Sequence, residues 1–194
     1  MTAIADALRV IGAELEGRHA PFALVGGLAV SVRVEPRFTR DVDVAVSVTS
    51  DREAEGLVHS LLTRGWRVLA QVEQEHANRL ATARLLPPGS SGIVVDVLFA
   101  SSGIEPEIVK AAERLGVLEG IVVPVATVGH LLALKVLAHD EETRPQDRLD
   151  ARGLLSVASP ADMEQARNAL ALIRERGFHR GKDLLRELDE LAPG

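Results

Sequence analysis

The stretch "FTRDVDVAVSV", residues 38–48, decides how this chain is read. Side chains of a strand alternate faces, so Val42, Val44, Val46 and Val48 go to one side, and Asp41, Asp43, Ala45 and Ser47 to the other. The valines suit a core, while the two carboxylates become neighbours on one surface. Like charges that close repel unless a cation or strong donors sit between them. Hard oxygen donors at this separation suit Mg²⁺, which takes one or two carboxylates and completes its shell with water and substrate phosphates.

Upstream, Ile4, Leu8, Ile11 and Leu15 recur at helical intervals over residues 3–16. "FALVGG" then reads as a short buried strand ending in Gly26 and Gly27, followed by a short helix over about 27–34. A strand-to-helix turn of two glycines leaves free backbone N–H groups at a helix start, where phosphate is favoured.

Downstream, Asp51 is expected to cap a helix to about Arg64, and "WRVLAQVEQ" and "NRLATARLL" to form two antiparallel strands. "IVVDVLFA" follows as another strand, interrupted by Asp96. If it lies beside "DVDVAV", three carboxylates converge on one or two metal ions, an arrangement suited to phosphoryl or nucleotidyl transfer. The competing reading makes Asp96 a structural partner of an arginine such as Arg84.

"LGVLEGIVVPVAT" reads as a hairpin about Glu119 and Gly120, and Thr127 as the cap of the helix "VGHLLALKVLAH". The rest is helical, over about 145–156, 160–176 and 181–191. The expected fold is therefore α/β (α+β). A mixed sheet of five or six strands with flanking helices fills residues 1–125, and an all-helical lobe fills 126–194.

Composition narrows the function. A net charge of −6 gives no global basic field, so a nucleic-acid partner must be held by a local patch. The absence of cysteine removes thiol and disulfide chemistry. No apolar run approaches the roughly 20 residues that span a bilayer, and a cytoplasmic life without membrane contact is the expectation.

With both halves in view, "LVGGLAVSVRVEPRFTRDVDVAV" resembles the glycine-pair and D-x-D motif of the DNA polymerase β-like nucleotidyltransferase superfamily. Within it, "LLALKVLAHDEETRPQDRLDARGLL" is similar to the second-lobe motif of the AbiEii-type, or MenT-type, toxins of type IV toxin–antitoxin systems. The resemblance spans about residues 20–155. It implies that Gly26 and Gly27 hold triphosphate, Asp41 and Asp43 bind metal, Lys135 contacts nucleotide phosphate, and an aspartate of "RPQDRLD" completes the site, Asp150 ahead of Asp147. Asp96 matches the third carboxylate of the superfamily less closely. Many members carry serine where this chain has Gly27, so a hydroxyl contact to phosphate is lost.

Several of these residues also stand out unaided. Lys135 lies among Leu131, Leu132, Val136 and Leu137, so its ammonium must snorkel or find an anion. Asp147 and Asp150 share a helix face. Arg144, Arg148 and Arg152 recur every four residues, while Arg33, Arg37 and Arg40 flank the D-x-D, and together they are candidates for a phosphate-backbone cleft. Thr39, two residues before Asp41, is a candidate contact to metal shell or phosphate. Taken alone, a helical arginine stripe is more often a solvated face.

The expected activity is metal-dependent nucleotidyl transfer from a nucleoside triphosphate, with Mg²⁺ as cofactor and two ions admissible. By resemblance the acceptor is the 3′ end of tRNA, translation is blocked, and a cognate antitoxin neutralises the protein. Transfer to a small molecule such as an aminoglycoside, transfer to a protein side chain, and a non-catalytic nucleotide-binding domain are the alternatives.

Overall fold

In the computed structural model, the described residues are 3–74, 79–89, 92–140 and 145–191. Helix α1 (Ala3–Glu16) buries Leu8, Ile11 and Leu15, the stripe expected from the spacing. Strand β1 (Phe22–Val25) is buried throughout and runs directly into α2 (Gly26–Arg33). The D-x-D opens β2 (Asp41–Val46), in which Val42, Val44 and Val46 are fully buried.

Helix α3 (Asp51–Thr63) is capped by Ser50, whose side chain accepts from the Glu53 N–H, and not by Asp51. Asp51 is the first helical residue instead. Its Oδ1 accepts the backbone N–H of Leu80 at 2.7 Å and so ties α3 to a neighbouring strand. Three strands follow, β3 (Arg67–Gln74), β4 (Arg79–Leu86) and β5 (Val94–Leu98). Then comes α4 (Glu105–Ala111), which is absent from the sequence reading. It is only two turns long, with a proline in the first, and offers little apolar periodicity.

The hairpin β6 (Glu113–Leu118) and β7 (Ile121–Val125) turns at Glu119 and Gly120. Four helices follow among the described residues: α5 (Val128–Ala138), α6 (Pro145–Val157), α7 (Pro160–Glu175) and α8 (Leu184–Leu191). The Thr127 side chain caps α5 as expected, accepting the His130 N–H.

The seven strands found among the described residues join one mixed sheet, ordered β3-β4-β5-β2-β1-β7-β6. The expected count of five or six falls short because the β6–β7 hairpin adds to the same sheet, through parallel pairing of β7 with β1. Strand β2 is central, antiparallel to β1 and parallel to β5. Buried apolar side chains continue from the sheet into α5–α8, so Val44 and Val97 belong to the same core as Leu132, Leu154 and Leu170.

Two arginines outside the cleft lining fasten elements together. Arg33, at the end of α2, donates to the carbonyls of Ala126 at 3.0 Å and Val125 at 3.2 Å, and to Glu113 at 2.6 Å. It holds α2 to the β6–β7 hairpin and is not among the residues lining the cleft, where the sequence reading had grouped it with Arg37 and Arg40. Arg176 similarly bonds Glu107 of α4 from the end of α7.

Candidate active site

Register builds the acidic centre. Asp43 pairs across the sheet with Val25 of β1 on one side and with Asp96 of β5 on the other, and Asp41 lies two residues back on the same face. One carboxylate oxygen from each of Asp41, Asp43 and Asp96 falls within 4.8 Å of the others. Oxygen donors so disposed need only small side-chain adjustments to share a hard divalent cation, whose ligands stand at about 2.0–2.6 Å.

Electrostatics support the fit. The Asp43 carboxyl is raised from 3.8 to about 7, first by burial and then by the charges of Asp41 and Asp96. A bound cation relieves that repulsion. Asp96 is also held by Arg84 in a two-pronged bond, Nε to Oδ1 at 2.9 Å and Nη2 to Oδ2 at 2.6 Å. Both readings of Asp96 therefore meet in one side chain, a carboxylate of the acidic cluster oriented by an arginine.

The glycine pair explains itself at this centre. Gly26 has φ +66, and a Cβ there would lie 1.9 Å from Oδ2 of Asp43. Only glycine lets the turn approach the carboxylate so closely while holding a left-handed conformation. A Cβ on Gly27 would lie 2.6 Å from Nη2 of Arg37 and 3.0 Å from Cγ2 of Thr39. The space that a serine side chain would occupy is thus filled by Arg37 and Thr39.

Opposite the turn stands Lys135 of α5. Its Nζ bonds Asp147 at 2.6 Å and Asp150 at 2.8 Å, with both carboxylates on the buried face of α6. Asp150 also accepts Arg37 Nη2 at 2.7 Å and Gln146 Nε2 at 3.1 Å. Burial opposes its charge, but the bonds from Lys135 and Arg37 prevail and hold it below the usual carboxylate range. The two α6 aspartates thus have different places: Asp147 lines the cleft, while Asp150 sits behind it with a side chain only 2% exposed.

The cleft encloses about 840 Å³ and is lined by Gly26, Gly27, Asp41, Asp43, Asp96 and Lys135, and also by Arg37, Thr39, Arg40 and Asp147. Arg148 and Arg152 are exposed and do not line it, because they lie on the face of α6 turned away from Asp147 and Asp150. Arg144 lies outside the described residues. Liners not read from the sequence as site residues include Phe38, Arg84 and Arg180. Phe38 carried a readable signal, a lone aromatic between Arg37 and Thr39 just before the D-x-D. Arg180 carried none.

The model of a known family, described as the nucleotidyl transferase AbiEii toxin of type IV toxin–antitoxin systems, matches residues 9–193. The chain belongs to this family. The AbiEii match spans both the sheet with its acidic centre and the helices that carry Lys135, Asp147 and Asp150. It is a nucleotidyltransferase, a class that uses nucleoside triphosphates and divalent metal. No curated protein matches it by sequence.

Solved structures bear out the fold. An antigenic nucleotidyltransferase-like protein from Paracoccidioides brasiliensis is 21% identical with a TM-score of 0.54, over 96% of this chain and 92% of that one. ANT(2")-Ia, in complex with adenylyl-2"-tobramycin, is 18% identical with a TM-score of 0.61, over 90% and 99%. The lincosamide antibiotic adenylyltransferase LnuA, lincomycin-bound, is 14% identical with a TM-score of 0.51, over 79% and 97%. Among the described residues, no helix is long and apolar enough to cross a membrane.

Proposed function

We propose that this AbiEii-type nucleotidyltransferase transfers a nucleotide from a nucleoside triphosphate to the 3′ end of tRNA, with Mg²⁺ on Asp41, Asp43 and Asp96. The observation that carries the reading is the clustering of three carboxylates, one raised to about 7, against a glycine turn that opens a helix. A divalent ion bound there neutralises charge on the triphosphate and favours ionisation of the attacking hydroxyl. Two ions are compatible with three carboxylates.

The chain's own groups divide the remaining work. Backbone N–H groups at the start of α2 bind the triphosphate, together with the helix dipole. Lys135 has three N–H donors and spends two on Asp147 and Asp150, so the third is available to a phosphate oxygen. Arg37, anchored by Asp150 over Gly27, supplies a second cation in place of the missing hydroxyl. Thr39 packs beside it.

Asp43 is the better proton acceptor of the two inner carboxylates, because both oxygens of Asp96 are engaged by Arg84. The acceptor oxygen forms its bond to the α-phosphorus, its proton passes to Asp43, and pyrophosphate leaves. Asp150 acts through Lys135 and Arg37 as a positioning residue. We divide the chain into an α/β lobe through residue 125 and a helical lobe from 126, with this cleft between them.

Nucleotide addition to tRNA would block translation, and a type IV system supplies a cognate antitoxin as the partner. The working compartment under this reading is the cytoplasm, where tRNA and triphosphates meet. Arg40 at the cleft favours a polyanionic acceptor over a cationic one.

The test incubates the protein with total tRNA, Mg²⁺ and each α-labelled nucleoside triphosphate, beside an Asp41→Ala control. Label entering RNA only with the intact aspartate supports the reading. Label entering with both proteins, or with neither for any triphosphate, contradicts it.

A further inference from the structure

The chain has five aromatic residues, four phenylalanines and one tryptophan. Four are packed away, with Phe22 4%, Phe99 3%, Phe178 9% and Trp66 2% exposed. Phe38 is 82% exposed, more than any other large apolar side chain described. It is also the one aromatic that lines the acidic cleft.

The exposure is built by its neighbours. Arg37 and Thr39 both turn inward, their side chains filling the space over Gly27. Arg37 Nη2 is fixed to Asp150, and its Nη1 donates to the Phe38 carbonyl at 3.3 Å. With the residues on either side committed to the interior, the Phe38 ring stands out at the cleft. Nothing in the core requires a phenylalanine there.

Beside it, Arg40 is exposed, lines the same cleft, and makes no hydrogen bond or ion pair among the described residues. An open aromatic face next to an uncommitted cation is the pairing that grips single-stranded nucleic acid, one group stacking a base and the other holding the strand's phosphate. The triphosphate needs neither group, since the glycine turn, Lys135 and Arg37 already provide for its phosphates.

We propose that Phe38 is a stacking shelf for a base of the acceptor RNA near its 3′ end, with Arg40 as the phosphate contact beside it. The inference rests on the RNA-acceptor reading and adds to it the surface that receives the strand. It also accounts for how a protein of net charge −6 holds a polyanion, through a local grip and not a global field.

Equilibrium binding of a labelled, short single-stranded RNA with a free 3′-hydroxyl tests this without turnover. Phe38→Ala should weaken RNA binding about tenfold or more, Phe38→Tyr should keep it, and Phe38→Leu should fall between them. Binding of a nucleoside triphosphate should stay within about twofold in all three, and Tm should not fall, since the ring is exposed. The added fluorescence of Phe38→Trp should be quenched by RNA, against a constant signal from buried Trp66.

If wild type binds RNA and Phe38→Ala binds it equally well, the shelf is wrong and the RNA acceptor stands. If Phe38→Ala instead loses triphosphate affinity, the ring serves the incoming base and the proposal fails. If wild type binds triphosphate but no RNA, both the shelf and the RNA acceptor fall, while nucleotidyl transfer survives.

Discussion

Gly26 and Asp43 are fitted against each other: the turn passes so close to the carboxylate that a Cβ at Gly26 would lie 1.9 Å from Oδ2. The close approach joins the phosphate-binding turn to the acidic centre in one rigid unit, because Val25 and Asp43 are also partners in the sheet. Gly26→Ala should therefore push Asp43 out of line, beyond the strain of placing alanine at φ +66. Activity should drop on the order of a hundredfold or more. Initial-rate kinetics check this, with circular dichroism showing that the sheet survives.

Gly27 offers a contrast. A serine there meets Arg37 and Thr39, the first of which can swing away. Gly27→Ser should break the Arg37–Asp150 bond and raise KM for the triphosphate with a smaller effect on kcat. Combining it with Arg37→Ala should add little further loss, since both changes remove the same contact. A double-mutant cycle in KM measures that coupling.

Lys135 neutralises two aspartates that have little access to water, its own side chain being 11% exposed. Lys135→Ala should abolish transfer and also destabilise the fold, by about 3–5 kcal/mol, because the removal leaves buried charge uncompensated. Adding Asp147→Asn to Lys135→Met should recover part of the stability and none of the activity. Thermal melts read the first effect and a labelled-transfer assay the second.

The Asp43 carboxyl gives a pH signature in protein stripped of divalent ions. Its folded-state value is raised from 3.8 to about 7, so the neutral form is favoured in the fold. The linked stability is present below the unfolded value and is lost as pH rises through about 7. Tm should fall between pH 5 and pH 8 for the wild type, and fall less for Asp43→Asn. Added Mg²⁺ should raise Tm more at pH 8 than at pH 5, since binding must otherwise displace a proton.

Much of this arrangement was legible in the sequence, and the physical reasons are specific. Period-two valines around Asp41 and Asp43 specified the strand and its acidic face, and the glycine pair specified a strand-to-helix turn with free backbone donors. Apolar neighbours marked Lys135 as a cation in need of an anion. Register was not legible: nothing local says that Asp96 falls beside Asp43, or that the β6–β7 hairpin joins β1 in the same sheet. Likewise, helical spacing grouped the α6 arginines but could not say that Asp147 and Asp150 face inward while Arg148 and Arg152 face out. Arg33 sits near the motif in sequence yet bonds residues more than 80 positions away, at Ala126 and Val125.

The central claim about this protein is that its acidic centre joins a nucleotide to the terminal ribose of RNA. The direct measurement compares intact tRNA with tRNA whose terminal diol has been oxidised by periodate, each with α-labelled triphosphate and Mg²⁺, using wild type and Asp41→Ala. Label should appear only where intact tRNA meets the wild-type protein, with pyrophosphate released in equal amount. Labelling of oxidised tRNA, labelling by Asp41→Ala, or labelled RNA without pyrophosphate would contradict it.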